Sequence, residues 1–271
     1  MILAIDIGGT KTLLACFDNT GHILKEVSFS TPDEYDDFLN DLKKHAARFD
    51  QNFTTCCMGV PGLLDRKAGV VRSLGNLPWI DRPIAHDVSK IFNDTPVYIE
   101  NDSKLAGLGE VSALDTAPKR VLYITVSTGI GGALLVDGRL STDMIDMEIG
   151  KSPLNFAGDV EHWENFASGR AFFESYGIKG DDTDDPKIWQ NFVQERLGPG
   201  IVVACSYLQV DTIIFGGGLG HHAPRFRDYL APYIDERLHP IVKRPKQLLS
   251  ATYGKNGVIY GCFEYAKNYH R

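Results

Sequence analysis

Ile2-Leu-Ala-Ile-Asp6-Ile-Gly8-Gly9-Thr10-Lys11-Thr-Leu-Leu-Ala-Cys16-Phe17 holds the key to this chain. An apolar run, Ile2 to Ile7, ends in an acid and two glycines, and a second apolar run, Thr12 to Phe17, follows directly. Asp18-Asn-Thr-Gly21 is a turn cluster, and Ile23 to Ser30 has the makings of a third strand. Short apolar runs divided by glycine and Asx clusters predict a β-meander. The same order returns about 120 residues later: Arg120 to Val126, the turn Ser127-Thr128-Gly129-Ile130-Gly131-Gly132, Ala133 to Val136, then Asp137-Gly138. An offset near half the chain predicts a duplicated domain rather than a short solenoid repeat.

Outward from these stretches the pattern is mixed α/β. Thr31-Pro-Asp-Glu34 has capping chemistry for a helix reaching about Phe49, with Phe38, Leu42 and Ala46 on one face. Thr54 to Val60 and Val97 to Glu100 read as strands. Pro83 to Asn93 and Asn101 to Val111 read as helices, Asn101 and Asp102 forming the first turn of the latter. Further helices are expected over His162 to Tyr176, in a long pattern to Val210 interrupted at Gly198-Pro199-Gly200, and over Ala223 to Leu238 and Asn256 to Tyr269. Thr212 to Phe215 is a strand running into Gly216-Gly217-Gly218. The run Gly180-Asp-Asp-Thr-Asp-Asp185 reads as a solvated loop or helix start rather than a metal site.

With 271 residues, two lobes are a fair expectation. The composition, 43% hydrophobic and 23% charged, argues against disorder. A net charge of -7 has the wrong sign for a nucleic-acid footprint. No stretch has the length of apolar residues that a membrane helix needs, and the N-terminus lacks the basic start of a signal peptide. The expectation is a cytoplasmic protein with small-molecule partners, without nucleic acid or membrane. Five cysteines without CxxC spacing suit reduced, buried thiols, and adjacent Cys56 and Cys57 should point to opposite faces of a strand.

The chemistry gathers at the glycine turns. Glycines let backbone N–H groups approach phosphate oxygens, Thr10 adds a hydroxyl and Lys11 a cation. Asp6 is placed to hold Mg²⁺, directly or through water. Neither GxxxxGK[ST] nor a helix follows, so this is no Walker loop or Rossmann fingerprint. One glycine hairpin is also read as an ordinary turn. Two in register, the second offering Thr128, Gly129 and Gly131, make a two-sided phosphate clamp. Gly216 to Gly218, after a strand and before a helix, would let a flat base lie close to backbone.

Taken in order, these motifs resemble the ROK family (repressor, open reading frame, kinase), the sugar kinases of the actin-like ATPase superfamily. The resemblance includes Asp6-Ile-Gly-Gly-Thr-Lys11, Gly59-Val-Pro-Gly62, Asn76-Leu-Pro-Trp79, Glu100-Asn-Asp102 and Ser127 to Gly132. It continues through Glu148-Ile-Gly150, Glu164-Asn-Phe-Ala-Ser-Gly-Arg170 and Ile214-Phe-Gly-Gly-Gly218. It implies Asp102 as catalytic base, with Asn101 beside it on the sugar, and Asn76, Glu148 and Glu164 on sugar hydroxyls. The turns would hold the nucleotide phosphates, and Gly216, Gly217 and Gly218 the adenosine. Plainer readings stand beside these: Asn101 as a helix cap, Glu164 as a surface residue. Two departures matter. Lys151 stands where the family usually has His, and Asp159-Val-Glu-His-Trp163 replaces a CxCGxxGC zinc loop. With His162 the only nearby ligand, no zinc site is expected. Lys151, whose loop an ion pair with Glu148 or Asp159 would hold, is read either as a donor in the substrate site or as a solvent-facing residue that leaves the sugar to Glu148 and Glu164.

The resemblance implies a duplicated actin-like (ribonuclease H-like) α/β fold with an interdomain cleft. The small lobe would be residues 1–104 plus 257–271, and the large lobe 105–256. The implied enzyme is a glucokinase-like ATP:sugar phosphotransferase using ATP and Mg²⁺ on glucose, a related hexose or an N-acylated amino sugar. Polyphosphate is the alternative donor, and homodimerisation is a family expectation. The runner-up function is a non-catalytic sugar-binding or regulatory protein of the same family.

Overall fold

Strand β1 (Ile2–Ile7) is hydrogen-bonded on one side to antiparallel β2 (Lys11–Phe17), which pairs with β3 (Ile23–Ser30). The computed structural model describes residues 1–49 and 52–268. After α1 (Tyr35–Ala46), β4 (Thr55–Val60) joins β1 in parallel. A small antiparallel sheet follows, made of β5 (Leu63–Asp65), β6 (Val70–Ser73) and β7 (Ile80–Arg82). Helix α2 (Ile84–Ile91) leads to β8 (Val97–Asn101), parallel to β4, and α3 (Asp102–Ser112) starts at the end of β8. The main sheet has the order β3-β2-β1-β4-β8.

A second sheet repeats this plan. Strands β9 (Arg120–Val126), β10 (Ile130–Val136) and β11 (Arg139–Leu140) form the meander. A hairpin, β12 (Pro153–Phe156) and β13 (Asp159–His162), turns at Ala157 and Gly158, both at positive φ. Then come α4 (Trp163–Ala167), α5 (Gly169–Tyr176), α6 (Pro186–Phe192) and α7 (Gly198–Leu208). Strand β14 (Thr212–Gly216) joins β9 in parallel, followed by α8 (Gly217–Gly220), α9 (Ala223–Arg237) and β15 (Gln247–Ser250). The order β11-β10-β9-β14-β15 matches the first sheet strand for strand. Helix α10 (Gly257–Asn268) closes the described chain.

The chain divides into two compact units, Met1–Gly109 with Asn256–Arg271, and Glu110–Lys255. The first boundary falls inside α3 rather than at residue 104. In the first unit, Phe38 and Leu42 of α1 and Val88 of α2 pack on one face of the sheet with Leu3, Ile5 and Cys56. Ile259, Cys262 and Phe263 of α10 cover the other face with Ala4, Phe17 and Cys57. Cys56 and Cys57 thus point to opposite faces, as strand alternation requires. All five cysteines are buried and free. In the second unit, Trp163, Phe172, Trp189, Phe192 and Phe226 build a large aromatic core against β9 and β14.

Several local expectations change. Thr31 does not cap α1, which starts at Tyr35 with Glu34 as an N-cap that makes no side-chain bond. The Thr31 hydroxyl instead donates to the carbonyl of Gly8, 2.8 Å away, and lies 2.9 Å from the Thr12 hydroxyl. The residues before α1 are thereby committed to bracing the glycine turn. The helix expected over His162 to Tyr176 breaks at Ser168, whose extended backbone makes it the N-cap of α5, accepting from Ala171 N–H. Gly198-Pro199-Gly200 interrupts nothing: one π-helical turn at Val193–Leu197 runs straight into α7, with Pro199 in the first turn of α7, where a missing N–H costs little. Tyr269, the expected end of the last helix, lies outside the described residues.

Candidate active site

In the first unit, the turn between β1 and β2 is closed by Gly8 N–H donating to the Lys11 carbonyl at 3.0 Å. Thr31 holds it from behind through Gly8 O and through its own N–H to Thr10 O. A Cβ at Gly9 would lie 2.8 Å from Asn76 Cβ, so Asn76 sits directly on this turn, which only glycine permits. Asp6, the penultimate residue of β1, faces Gly59 of β4 in register. Its carboxyl is pushed up to about 7, chiefly by burial, then by the nearby charge of Asp102, with Lys11 pulling the other way. Two carboxylates close enough to repel, one of them half-buried, are a place where a divalent cation would relieve both.

Asp102 opens α3, where the helix N-terminus favours a negative charge. One of its carboxylate oxygens accepts Ser103 N–H at 2.7 Å. Asn101, the last residue of β8, accepts from Ser103 N–H at 3.0 Å and from the Ser103 hydroxyl at 2.6 Å through Oδ1. The plainer expectation for Asn101, a helix cap, describes its oxygen. Glu100 is buried and forked with Arg66, whose Nε and Nη2 each donate at 2.7 Å. It also accepts Asn101 N–H at 2.7 Å. Glu100 is thus a positioning residue under the Asn101–Asp102 corner. Arg66 was invisible in the sequence, because its partner is 34 residues away and no periodicity links them.

In the second unit, Ser127 N–H donates to Gly129 O at 2.9 Å, and Gly169 N–H donates to Ser127 O at 2.6 Å. Glu164 reaches the turn from α4. Its Oε2 accepts Ile130 N–H at 3.2 Å and would lie 2.7 Å from a Cβ at Gly129. Its Oε1 accepts from Lys151 Nζ. Glu164 is therefore no plain surface residue: its side chain is 14% exposed and clamped between backbone and cation. Lys151 pairs with Glu164, not with Glu148 or Asp159. Glu148 is exposed at the start of the same single turn, its carbonyl accepting Lys151 N–H at 3.0 Å. Where the zinc loop was missing from the sequence, the β12–β13 hairpin spans Pro153–His162 and leads into α4.

The three glycines after β14 divide. Gly216 is buried where a Cβ would come within 2.3 Å of the Tyr123 hydroxyl, and Gly217 adopts φ +79 beside Thr125 and Val126. Those two answer to packing. Gly218 alone faces open space. With Ser127, Thr128, Gly169, Arg170 and Asp181 it lines a cavity of about 350 Å³. Thr128 and Gly218 therefore share a cavity within one unit, while Gly131 lies in β10 opposite Thr125.

Known proteins resemble this chain over nearly its full length. The N-acetylgalactosamine kinase AgaK of Shewanella sp. is 34% identical over 255 residues, 81% of this chain and 82% of that protein. The N-acetyl-D-glucosamine kinase of Haemophilus influenzae is 26% identical over 96% of this chain and 97% of its own length. A xylose repressor from Caldicellulosiruptor bescii is 24% identical, and 59% of that protein is covered. Among solved structures, a ROK family glucokinase from Streptomyces griseus, in complex with glucose and AMPPNP, superposes with a TM-score of 0.79 at 21% identity, covering 98% of this chain and 99% of that one. The fold is the actin-like two-lobe ATPase fold. A model of the ROK family matches residues 2–269, and the chain belongs to that family.

Proposed function

We propose that this protein is an ATP-dependent kinase for a hexose-class sugar, with N-acylated amino sugars first among the substrates. The observation that carries the reading is Asp102 at a helix N-terminus, within Coulombic reach of half-buried Asp6 and directly following Asn101. The two relatives named for acetylated amino sugars, one at 34% identity, favour that substrate class over glucose.

Asp102 accepts the proton of the attacking hydroxyl as its oxygen bonds to the γ-phosphorus, while the bond from phosphorus to the β-phosphate bridging oxygen breaks. A loose transition state of this kind leaves the protein mainly to position groups and offset charge. The β1–β2 turn supplies Thr10 and Lys11, and the turn after β9 supplies Thr128 and backbone N–H groups. Asn76, Asn101, Glu148, Glu164 and Lys151 are assigned to the sugar, and Gly218 to the nucleotide. The Asp6–Asp102 pair fits Mg²⁺, which when bound neutralises phosphate charge. Glu100 and Arg66 keep the Asn101–Asp102 corner in place.

The test is ADP release with ATP and Mg²⁺ over a panel of hexoses, amino sugars and their N-acetyl forms, repeated with polyphosphate as donor. The expected result is sugar-dependent release, highest with an N-acetylhexosamine. Sugar binding without release from any donor would establish the non-catalytic reading instead. Among the described residues no helix is long and apolar enough to cross a membrane.

A further inference from the structure

The Asp181–Asp185 run, read from sequence as a solvated loop, meets two histidines. Asp181 Oδ1 lies 3.1 Å from His222 Nε2 and 3.4 Å from His221 Nε2, and the three atoms are within 4.8 Å of one another. His222 is 6% exposed, and its Nε2 makes no aligned hydrogen bond despite the close carboxylate. A buried nitrogen and a carboxylate oxygen converging without hydrogen-bond alignment suit lone pairs aimed at a shared third atom. Ligands about 2.0–2.2 Å from a tetrahedral zinc stand about 3.3–3.5 Å apart. The His221 separation, 3.4 Å, falls in that range, and the His222 separation, 3.1 Å, lies just short of it.

The surroundings hold the three ligands in place. Arg225 Nη1 donates to Gly180 O at 2.6 Å and to Thr183 O at 3.1 Å, tying down the loop that carries Asp181. Gly180 lets that loop press on His222: a Cβ there would fall 2.7 Å from the ring. Trp189 packs on the other side of His222, with ring centroids 5.6 Å apart, and His221 lies against His222 at 3.8 Å. Arg225 is itself paired with Asp184, which offsets its charge near a cation. The histidines are adjacent because the chain passes from α8 to α9 there, His221 ending one helix and His222 preceding the next.

We propose that Asp181, His221 and His222 form a binding site for a borderline first-row divalent cation, zinc being the best match, on the rim of the 350 Å³ cavity that Asp181 lines. Two imidazoles and one carboxylate select against Mg²⁺, which prefers an oxygen shell. Three protein ligands leave a fourth position for water or another oxygen donor. The site is distinct from the family's cysteine loop, whose place is taken by Asp159-Val-Glu-His-Trp163. It ties the loop at Gly180 to the α8–α9 junction, so the metal would set the shape of this cavity wall.

The experiment is Co²⁺ titration of chelator-stripped protein in millimolar Mg²⁺, read by visible absorption, with Zn²⁺ competition. The expected result is one Co²⁺ per chain with the intense band of a low-coordinate site, displaced by Zn²⁺. Asp181→Asn and His221→Gln should each weaken binding by about tenfold or more. Both side chains are substantially exposed, so these variants keep the fold, as circular dichroism would verify. Absence of the band, or a band unchanged in both variants, overturns the site.

Discussion

The turn after β1 and the turn after β9 occupy the same place in sheets of the same strand order, and they are chemically unlike. In the parallel register, Asp6 of β1 faces Gly59 of β4, while Thr125 of β9 faces Gly216 of β14. The duplicated scaffold keeps the small residue on the neighbouring strand in both cases. What changes is the charge. The first turn carries its own acid and its own lysine, Asp6 and Lys11, and is braced by neutral hydroxyls from Thr31 and Thr12. The second turn, Ser127 to Gly132, has no charge, and its carboxylate arrives from Glu164, already paired with Lys151. The first unit therefore holds a repelling acid pair in want of a cation, and the second holds a carboxylate that already has one. That division suits metal and proton chemistry in the first unit and neutral recognition in the second.

The contrast breaks most readily at Asp102. If proton transfer belongs to the first unit, Asp102→Asn should lower kcat by about 10² to 10⁴-fold with sugar affinity largely kept. Glu164→Gln should act mainly on the sugar KM. A variant of Asp102 retaining most of its kcat would move the base elsewhere and end the division of labour.

The second unit is tested at Lys151. An exposed ion pair alone contributes about 0–1 kcal/mol, under about fivefold. If Lys151 orients Glu164 for a substrate hydroxyl, or meets the sugar itself, Lys151→Ala should cost about tenfold in kcat/KM, carried by KM, and Lys151→Arg should recover part of it. A loss under about threefold with folding intact would show a solvent-facing lysine and remove it from the site.

The repeat explains how much was legible from sequence. Strands β1, β3 and β9 match the expected limits because each is an apolar run bounded by turn residues. Parallel strands buried on both faces, such as β4, write the same continuous signal. The small sheet of β5 to β7 and the β12–β13 hairpin carry mixed, partly exposed residues and left no such trace. The glycine motifs were legible as motifs but not as causes. Gly9 and Gly129 make room for Asn76 and Glu164, and Gly216 for Tyr123, contacts set by tertiary approach. The same limit hid Arg66 under Glu100, the Lys151–Glu164 pair and the meeting of Asp181 with His221 and His222. Each joins segments whose spacing follows no helical or strand period.

The smallest effect expected is on stability, and it separates Asp6 from Thr125 directly. Asp6 has a folded-state pKa near 7 against an ordinary value of 3.8, raised by burial and by Asp102. Between those values the native protein holds a proton that the unfolded chain has released, so stability falls as pH rises from about 4 to about 7 and then levels off. The ceiling is about 1.4 kcal/mol for each pH unit of the window, reduced by whatever solvent reaches the carboxylate. Asp6→Asn removes the ionisation. Without divalent cations, its gain in Tm over the wild type should therefore be larger at pH 8 than at pH 5, by at least about 2 °C. Added Mg²⁺ should narrow the gap at pH 8, because it stabilises only the native state that retains the carboxylate. Thr125→Val, at the matching position of the second sheet, should shift Tm by the same amount at both pH values. Thermal melts of the three proteins in chelator at the two pH values decide it. Equal shifts for Asp6→Asn at pH 5 and pH 8 would mean that Asp6 is ionised throughout and that the first turn stores no repulsion for a cation to relieve.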